Sequence, residues 1–298
     1  MTDDIHWPRA AHWLASASTD PEFAVLGVPA HETSISATNA HLTPTAVRDA
    51  LARYSTYHWD LAVDVADLAV RDYGDVMDPD HFEGELRVTD AVRAIPARAL
   101  LFAIGGDNSI TNSLMRARLE LADAGLVTLD AHHDLRDGES NGSPVRRLIE
   151  SGLDPHRIVQ IGINDFSNSP AYAQRARELG ITVITRSEVE AIGIRAAMER
   201  GMRIADGGGG VHVDLDIDVC DRSVVPGCPA AAPGGLSARE LRLGARLAGA
   251  HPAVRAIDAT EVDATADAPD GRTVRLVALA LLEAAAGRLH LLRARPGV

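Results

Sequence analysis

Seven short apolar runs punctuate the chain, at residues 23–28, 100–104, 126–130, 158–163, 181–185, 211–218 and 254–260. They are short and mostly rich in Val, Ile and Leu, so each predicts a buried strand. Between most of them, stretches 44–54, 83–95, 109–123, 237–250 and 272–286 have helical length and spacing. They predict helices, the first with Thr43 as its cap. Strands that alternate with helices predict an α/β fold in three layers, with a mostly parallel central sheet covered on both faces. Gly207 to Gly210 is expected to release a helix into the next strand, and residues 136–143 and 222–235 read as loops. No repeat or linker divides the chain, so residues 1–298 are expected to form one domain.

Open parallel sheets bind ligands outside the carboxyl ends of their strands, so polar residues that end an apolar run direct attention there. The run at 126–130 exits through Asp130-Ala131-His132-His133-Asp134. Alternation along an extended backbone would aim Asp130, His132 and Asp134 one way and His133 the other. Residues 211–220 read Val-His-Val-Asp-Leu-Asp-Ile-Asp-Val-Cys, which sets Asp214, Asp216 and Asp218 on one face of a strand packed on its other face. Three carboxylates there are costly unless they meet a metal. Oxygen ligands with one imidazole suit manganese better than zinc. The run at 254–260 leads to Glu261-Val262-Asp263, where a carboxylate could ligate metal, bind a cationic substrate or cap a helix. Ile104-Gly105-Gly106-Asp107-Asn108-Ser109 joins a strand to a helix, with Asp107, Asn108 or Ser109 as a cap.

Composition narrows the partners. A formal charge of −13 on 298 residues argues against nucleic acid and anionic membranes. All 29 basic residues are Arg, and 46% hydrophobic residues with 4% aromatics promise an aliphatic core. Cys220 and Cys228 make no disulfide framework. With no export signal or apolar span in the sequence, the expected location is cytoplasmic. His31, His41 and His58 read as structural or surface residues, with a pocket role left open for His31. Trp7, Trp13 and Trp59 read as packing residues.

The order and spacing of these segments resemble the ureohydrolase family of arginase, agmatinase and formimidoylglutamase. The resemblance runs from about Gly27 to Gly287. It rests on Gly105 to Ser109, on Asp130 to Asp134, on Asp216-Ile217-Asp218 with Pro226-Gly227 and Pro233-Gly234-Gly235, and on Glu261-Val262. It implies an arginase-like fold and two Mn2+ ions held by Asp130, His132, Asp134, Asp216 and Asp218. Asp214 is left at a non-ligand position, although a register using Asp214 and Asp216 stays open. It also implies a small-molecule amidine or guanidine substrate, a water made nucleophilic between the metals and oriented by Asp134, a substrate cation on Glu261, and a homo-oligomer.

Two positions depart from the family. Asn108 stands where a histidine ligand is usual, so the amide is a tentative, poorer ligand and one ion would be held weakly. Asn141 stands where arginases and agmatinases carry a histidine credited with proton shuttling, and an amide cannot titrate near neutral pH. Asp134-Leu135-Arg136 with Asn141-Gly142-Ser143 resembles formimidoylglutamases, which adds Arg136, Asn141 and Ser143 as substrate-binding candidates. Arg136 suits a substrate carboxylate and disfavours agmatine. The resemblance therefore ranks N-formimidoyl-L-glutamate hydrolysis first and urea-releasing guanidino-compound hydrolysis second. A metal-binding paralogue with little or no turnover is the third reading.

Overall fold

The computed structural model describes Asp4 and residues 6–294. In chain order the strands are β1 (Phe23–Val28), β2 (Tyr57–His58), β3 (Val63–Asp64), β4 (Val70–Asp75), β5 (Leu100–Gly105), β6 (Gly125–Leu129), β7 (Ile158–Ile163), β8 (Thr182–Thr185), β9 (Val211–Asp216) and β10 (Val254–Thr260). Eight of them form a parallel sheet in the order β4-β1-β5-β10-β9-β6-β7-β8, and β2 pairs with β3 as a small antiparallel ribbon. The six inner strands are buried along almost their whole length, as aliphatic runs covered on both faces must be.

The helices are α1 (Ala10–Leu14), α2 (Thr43–Leu51), α3 (His81–Arg93), α4 (Ile110–Arg118), α5 (Pro144–Glu150), α6 (Pro170–Leu179), α7 (Arg186–Ile192), α8 (Ile194–Ala205), α9 (Ala238–Gly249) and α10 (Arg272–Ala294). Apolar residues of α1, α2 and α7 to α10 cover one face of the sheet, and those of α3 to α6 cover the other. The result is the expected three layers. None of the described helices is long and apolar enough to cross a membrane.

All seven expected strands are present. Outside the expected elements lie the polar edge strand β4, whose Val-Arg-Asp-Tyr-Gly-Asp carries no apolar run, the β2–β3 ribbon, and helices α1 and α5 to α7, whereas α8 is the helix that Gly207 to Gly210 release into β9. Helix α9 opens with a capping box in which Ser237 and Glu240 satisfy each other's backbone amides. Thr43 is not a cap: it lies inside α2, and its hydroxyl donates to the Val262 carbonyl at 2.5 Å. Trp13 packs as expected and donates to the Leu68 carbonyl at 3.0 Å. Trp7 and Trp59 lie outside the core, Trp7 beneath the Arg9 guanidinium and Trp59, 82% exposed, edge-on to Tyr57. Cys220 and Cys228 are free and buried.

Strand alternation makes the middle of the sheet two-faced. On β9, Val211, Val213 and Leu215 join the aliphatic core beside α8 and α9. His212, Asp214 and Asp216 therefore point the other way. The registers Thr128↔Gln160, Thr128↔Asp214 and Asp258↔Asp214 align a buried polar row across β7, β6, β9 and β10, one pleat below the strand exits.

Candidate metal and substrate site

Strands β5, β10, β9 and β6 are adjacent, so their exits bring residues 106–109, 261–263, 216–218 and 130–134 to one place although they are far apart in sequence. Oxygens of Asp130, Asp134 and Asp216 lie within 4.8 Å of one another, and so do ligand atoms of Asp130, His132 and Asp218. Asp130 belongs to both groups. His132 Nδ1 is 2.7 Å from Asp218 Oδ2 and 3.7 Å from Asp130 Oδ1.

The convergence does not come from extended backbone. Strand β6 ends at Leu129, and Asp134 has a left-handed φ of 51°. Likewise β9 ends at Asp216, and a 3-10 turn at Ile217–Val219 follows, with the Asp218 amide donating to Asp216 Oδ1 at 2.9 Å. Turns aim these side chains, which periodicity alone could not foresee. Asp214 stays in the row below, beside Asp258. His133 is buried with its Nδ1 2.7 Å from Gln160 Oε1, yet it also borders the cavity described next.

A cavity of about 350 Å³ opens over the cluster. Its floor includes His132, Asp134, Asp216, Asp218 and Glu261, and Arg136, Asn141 and Gly142 line one wall. Ile35, Ser36 and Thr38 come from the loop after β1, and Ser167, Asn168, Ser169 and Tyr172 from the loop and first turn after β7. Sequence patterns gave no sign of these last two groups. His31 is not among the lining residues; it stacks on His41 with ring centroids 4.3 Å apart, and its amide donates to Asp80. His58 is bound to Glu283 at 3.1 Å, far from this cavity in the fold.

Glu261 also has left-handed backbone, with φ 66°. Its Oε1 accepts from the Asn108 amide at 2.7 Å and from Asn141 Nδ2 at 2.9 Å. Asn141 Oδ1 in turn accepts from the Ile35 amide at 3.0 Å. Asn141 thus joins the acid to the loop after β1. Gly106 permits the packing beneath: a Cβ there would lie 2.1 Å from the Ala30 carbonyl oxygen, and its own carbonyl accepts from the Glu261 amide.

Two expected roles meet a different geometry. Asn108 Oδ1 accepts from Thr111 at 2.9 Å and Thr260 at 3.1 Å, while its Nδ2 donates to Asp134 Oδ2 at 2.6 Å. In this geometry the amide turns a donor, not its oxygen, toward the acids. Ser143 is buried and exchanges hydrogen bonds with the Ser140 backbone at 2.8 and 3.0 Å. It shapes the loop and does not line the cavity. Arg136 is exposed at the cavity wall, and its guanidinium has no ion pair among the described residues.

Electrostatics explains what such a cluster needs. Burial, reinforced by Asp218, pushes Asp130 up to about 6. Burial and then Asp130 hold Asp134 well above the usual carboxylate range, and burial and then Asp218 do the same to Asp216. Burial, with Asp107 behind it, raises Glu261 to about 8. Burial also opposes charge on His132 and Asp218, but they face each other: His132 is driven up to about 12 and Asp218 is held low. Asp130 Oδ2 is buried without a hydrogen-bond partner among the described residues. Dry, mutually repelling carboxylates with an orphan oxygen fit divalent cations, and an oxygen-rich set with one imidazole fits Mn2+. Four carboxylates match the charge of two such ions.

A parallel α/β sheet with this acid-lined crevice over its strand exits places the chain among α/β proteins with a candidate metal site. Residues 21–287 match the arginase family, and the chain belongs to it. It is therefore a hydrolase acting on C–N bonds of linear amidines. Among its relatives is a formimidoylglutamase of Halalkalibacterium halodurans, 34% identical over 257 residues that cover 82% of this chain and 81% of the relative. The solved formimidoylglutamase of Bacillus subtilis superposes with a TM-score of 0.89 at 29% identity, covering 98% of this chain and 94% of that one. A Trypanosoma cruzi formiminoglutamase solved with a pair of Mn2+ ions gives 0.86 at 27% identity, covering 97% and 100%.

Proposed function

We propose that the chain is a manganese-dependent formimidoylglutamase, converting N-formimidoyl-L-glutamate and water to L-glutamate and formamide. The observation that carries the substrate is Arg136, a guanidinium with no ion pair among the described residues, at the wall of a cavity whose floor is mainly acidic. It supplies a place for a carboxylate, which formimidoylglutamate has and agmatine lacks. The formimidoylglutamases among the relatives support this choice.

In this reading Asp130, His132, Asp134, Asp216 and Asp218 hold two Mn2+ ions, whose chemistry is to make water nucleophilic at neutral pH. Asp134 orients the attacking water, and Asn108 Nδ2 fixes the Asp134 carboxylate by the 2.6 Å bond. Glu261, steadied by Asn141 and the Asn108 amide, receives the N–H groups of the amidinium. The water oxygen bonds to the amidinium carbon, the bond from that carbon to the glutamate nitrogen breaks, and the two protons given up by the water end on that nitrogen, which leaves as the ammonium group of glutamate.

The test is metal-stripped protein titrated with Mn2+ and assayed on N-formimidoyl-L-glutamate, agmatine and guanidino acids. Two bound ions with formamide release support the proposal. Urea from a guanidino compound would replace it with the second activity, and bound metal without turnover would leave a metal-binding paralogue.

A further inference from the structure

The segment that carries His132 is neither strand nor helix, so its peptide groups need partners from elsewhere. The Asp130 amide donates to the Ile161 carbonyl at 3.0 Å, the Ala131 amide to Asp218 Oδ1 at 3.1 Å, and the His132 amide to Asp130 Oδ1 at 2.6 Å. The Ala131 carbonyl also accepts from the Asn164 amide at 3.2 Å, and further bonds come from two side-chain amides in and after β7. Asn168 Oδ1 accepts from the His133 amide at 2.9 Å, and Asn168 Nδ2 donates to the Ala131 carbonyl at 2.9 Å. Gln160, fully buried in the polar row, donates Nε2 to the His133 carbonyl at 2.9 Å and meets His133 Nδ1 with Oε1 at 2.7 Å. Gln160 Oε1 can only accept, so His133 Nδ1 carries the proton and the ring serves as an anchor.

Asn168 therefore grips the peptides on both sides of His132, and Gln160 grips the next carbonyl. Neither residue belongs to a motif that carries the family resemblance. Asn168 also borders the cavity together with Ser167, Ser169 and Tyr172, so one residue belongs both to the substrate wall and to the support of the metal-binding segment.

We infer that Asn168, backed by Gln160, is a positioning residue for His132 that sets manganese affinity and ties the substrate wall to the metal centre. This rests on the ligand assignment proposed above. Outer-shell groups that orient metal ligands typically contribute about 10- to 100-fold in metal affinity or activity, and Asn168, which acts on His132 through its two flanking peptides, is expected to do the same.

The experiment is Mn2+ titration by calorimetry of metal-stripped wild type and Asn168→Ala, with melting of both metal-free proteins and kinetics at rising Mn2+. Asn168→Ala is expected to bind Mn2+ about 10- to 100-fold more weakly. Its metal-free melting temperature should stay close to wild type, and its turnover should keep rising with Mn2+ over a range that already saturates wild type. Asn168→Asp keeps an oxygen for the His133 amide but loses the donor to Ala131, and its affinity should fall between the two. It carries the test alone if Asn168→Ala does not fold. Wild-type affinity in the folded variants would overturn the inference, as would an affinity loss matched by a fall in metal-free melting temperature. Wild type that takes up no Mn2+ would instead overturn the ligand assignment itself.

Discussion

Replacing Arg136 with Gln separates substrate recognition from chemistry. The guanidinium is exposed and makes no ion pair among the described residues, so its removal leaves no buried charge unpaired. What is lost is a charge-assisted bond to a substrate carboxylate. Such bonds contribute about 1.5–3 kcal/mol, and exposure to solvent puts this one at the low end. A loss of about 1.5 kcal/mol corresponds to roughly a tenfold weaker interaction. Arg136 sits on the wall and the acid cluster on the floor, so the bond is made equally in ground and transition states. KM for N-formimidoyl-L-glutamate should therefore rise about tenfold with kcat nearly unchanged. The assay is steady-state formamide release by folded, Mn2+-saturated Arg136→Gln, run beside a substrate analogue whose carboxylates are amidated. The variant should lose its disadvantage on the analogue. An unchanged KM, or a fall in kcat at constant KM, would refute a carboxylate-binding role for Arg136.

Asp216→Ala removes one of the three acids whose oxygens crowd within 4.8 Å, so it should abolish both Mn2+ retention and turnover; normal manganese content by elemental analysis would sink the assignment. Asn108→His exchanges a donor that now faces Asp134 for an imidazole, and should tighten Mn2+ binding in a titration of stripped protein, whereas equal affinity would place residue 108 outside the metal's reach. In chelator, Asp130 and Glu261 keep their protons in the folded chain up to about pH 6 and about pH 8, against 3.8 and 4.5 as ordinary values. Raised carboxyl groups give stability that is complete below the unfolded values and lost as pH climbs through the folded ones. The low-lying Asp218 acts in the opposite sense only at more acid pH. Melting temperature in chelator should thus fall between about pH 5 and pH 8, and saturating Mn2+ should remove the decline; a rise in chelator over that window would contradict it.

The strands were legible because inner parallel strands are aliphatic on both faces, and the limits of β1, β7 and β10 follow the apolar runs residue for residue. The edge strand β4 hid because half of it faces solvent and its composition is that of a loop. The acids of the site were legible because dry carboxylates in apolar runs are conspicuous. Their aim was not, since the turn at Asp134 and the one after Asp216 leave no mark in a hydrophobic pattern. Asn168 and Gln160 hid for another reason. A single amide in a serine-rich loop or an apolar strand looks like any other until the peptide it grips is known.

The place of β10 in the sheet has a consequence for how the chain must be made. It is the last strand to leave the ribosome, yet it pairs with β5 on one side and β9 on the other. Until residues 254–260 arrive, those two strands have no partner along their facing edges, which is the kind of unpaired edge that recruits other chains. Glu261 follows directly behind. Nascent chains stalled before residue 254 should therefore be sticky, and although they carry every proposed metal ligand they would lack the Glu261 carboxylate of the substrate floor.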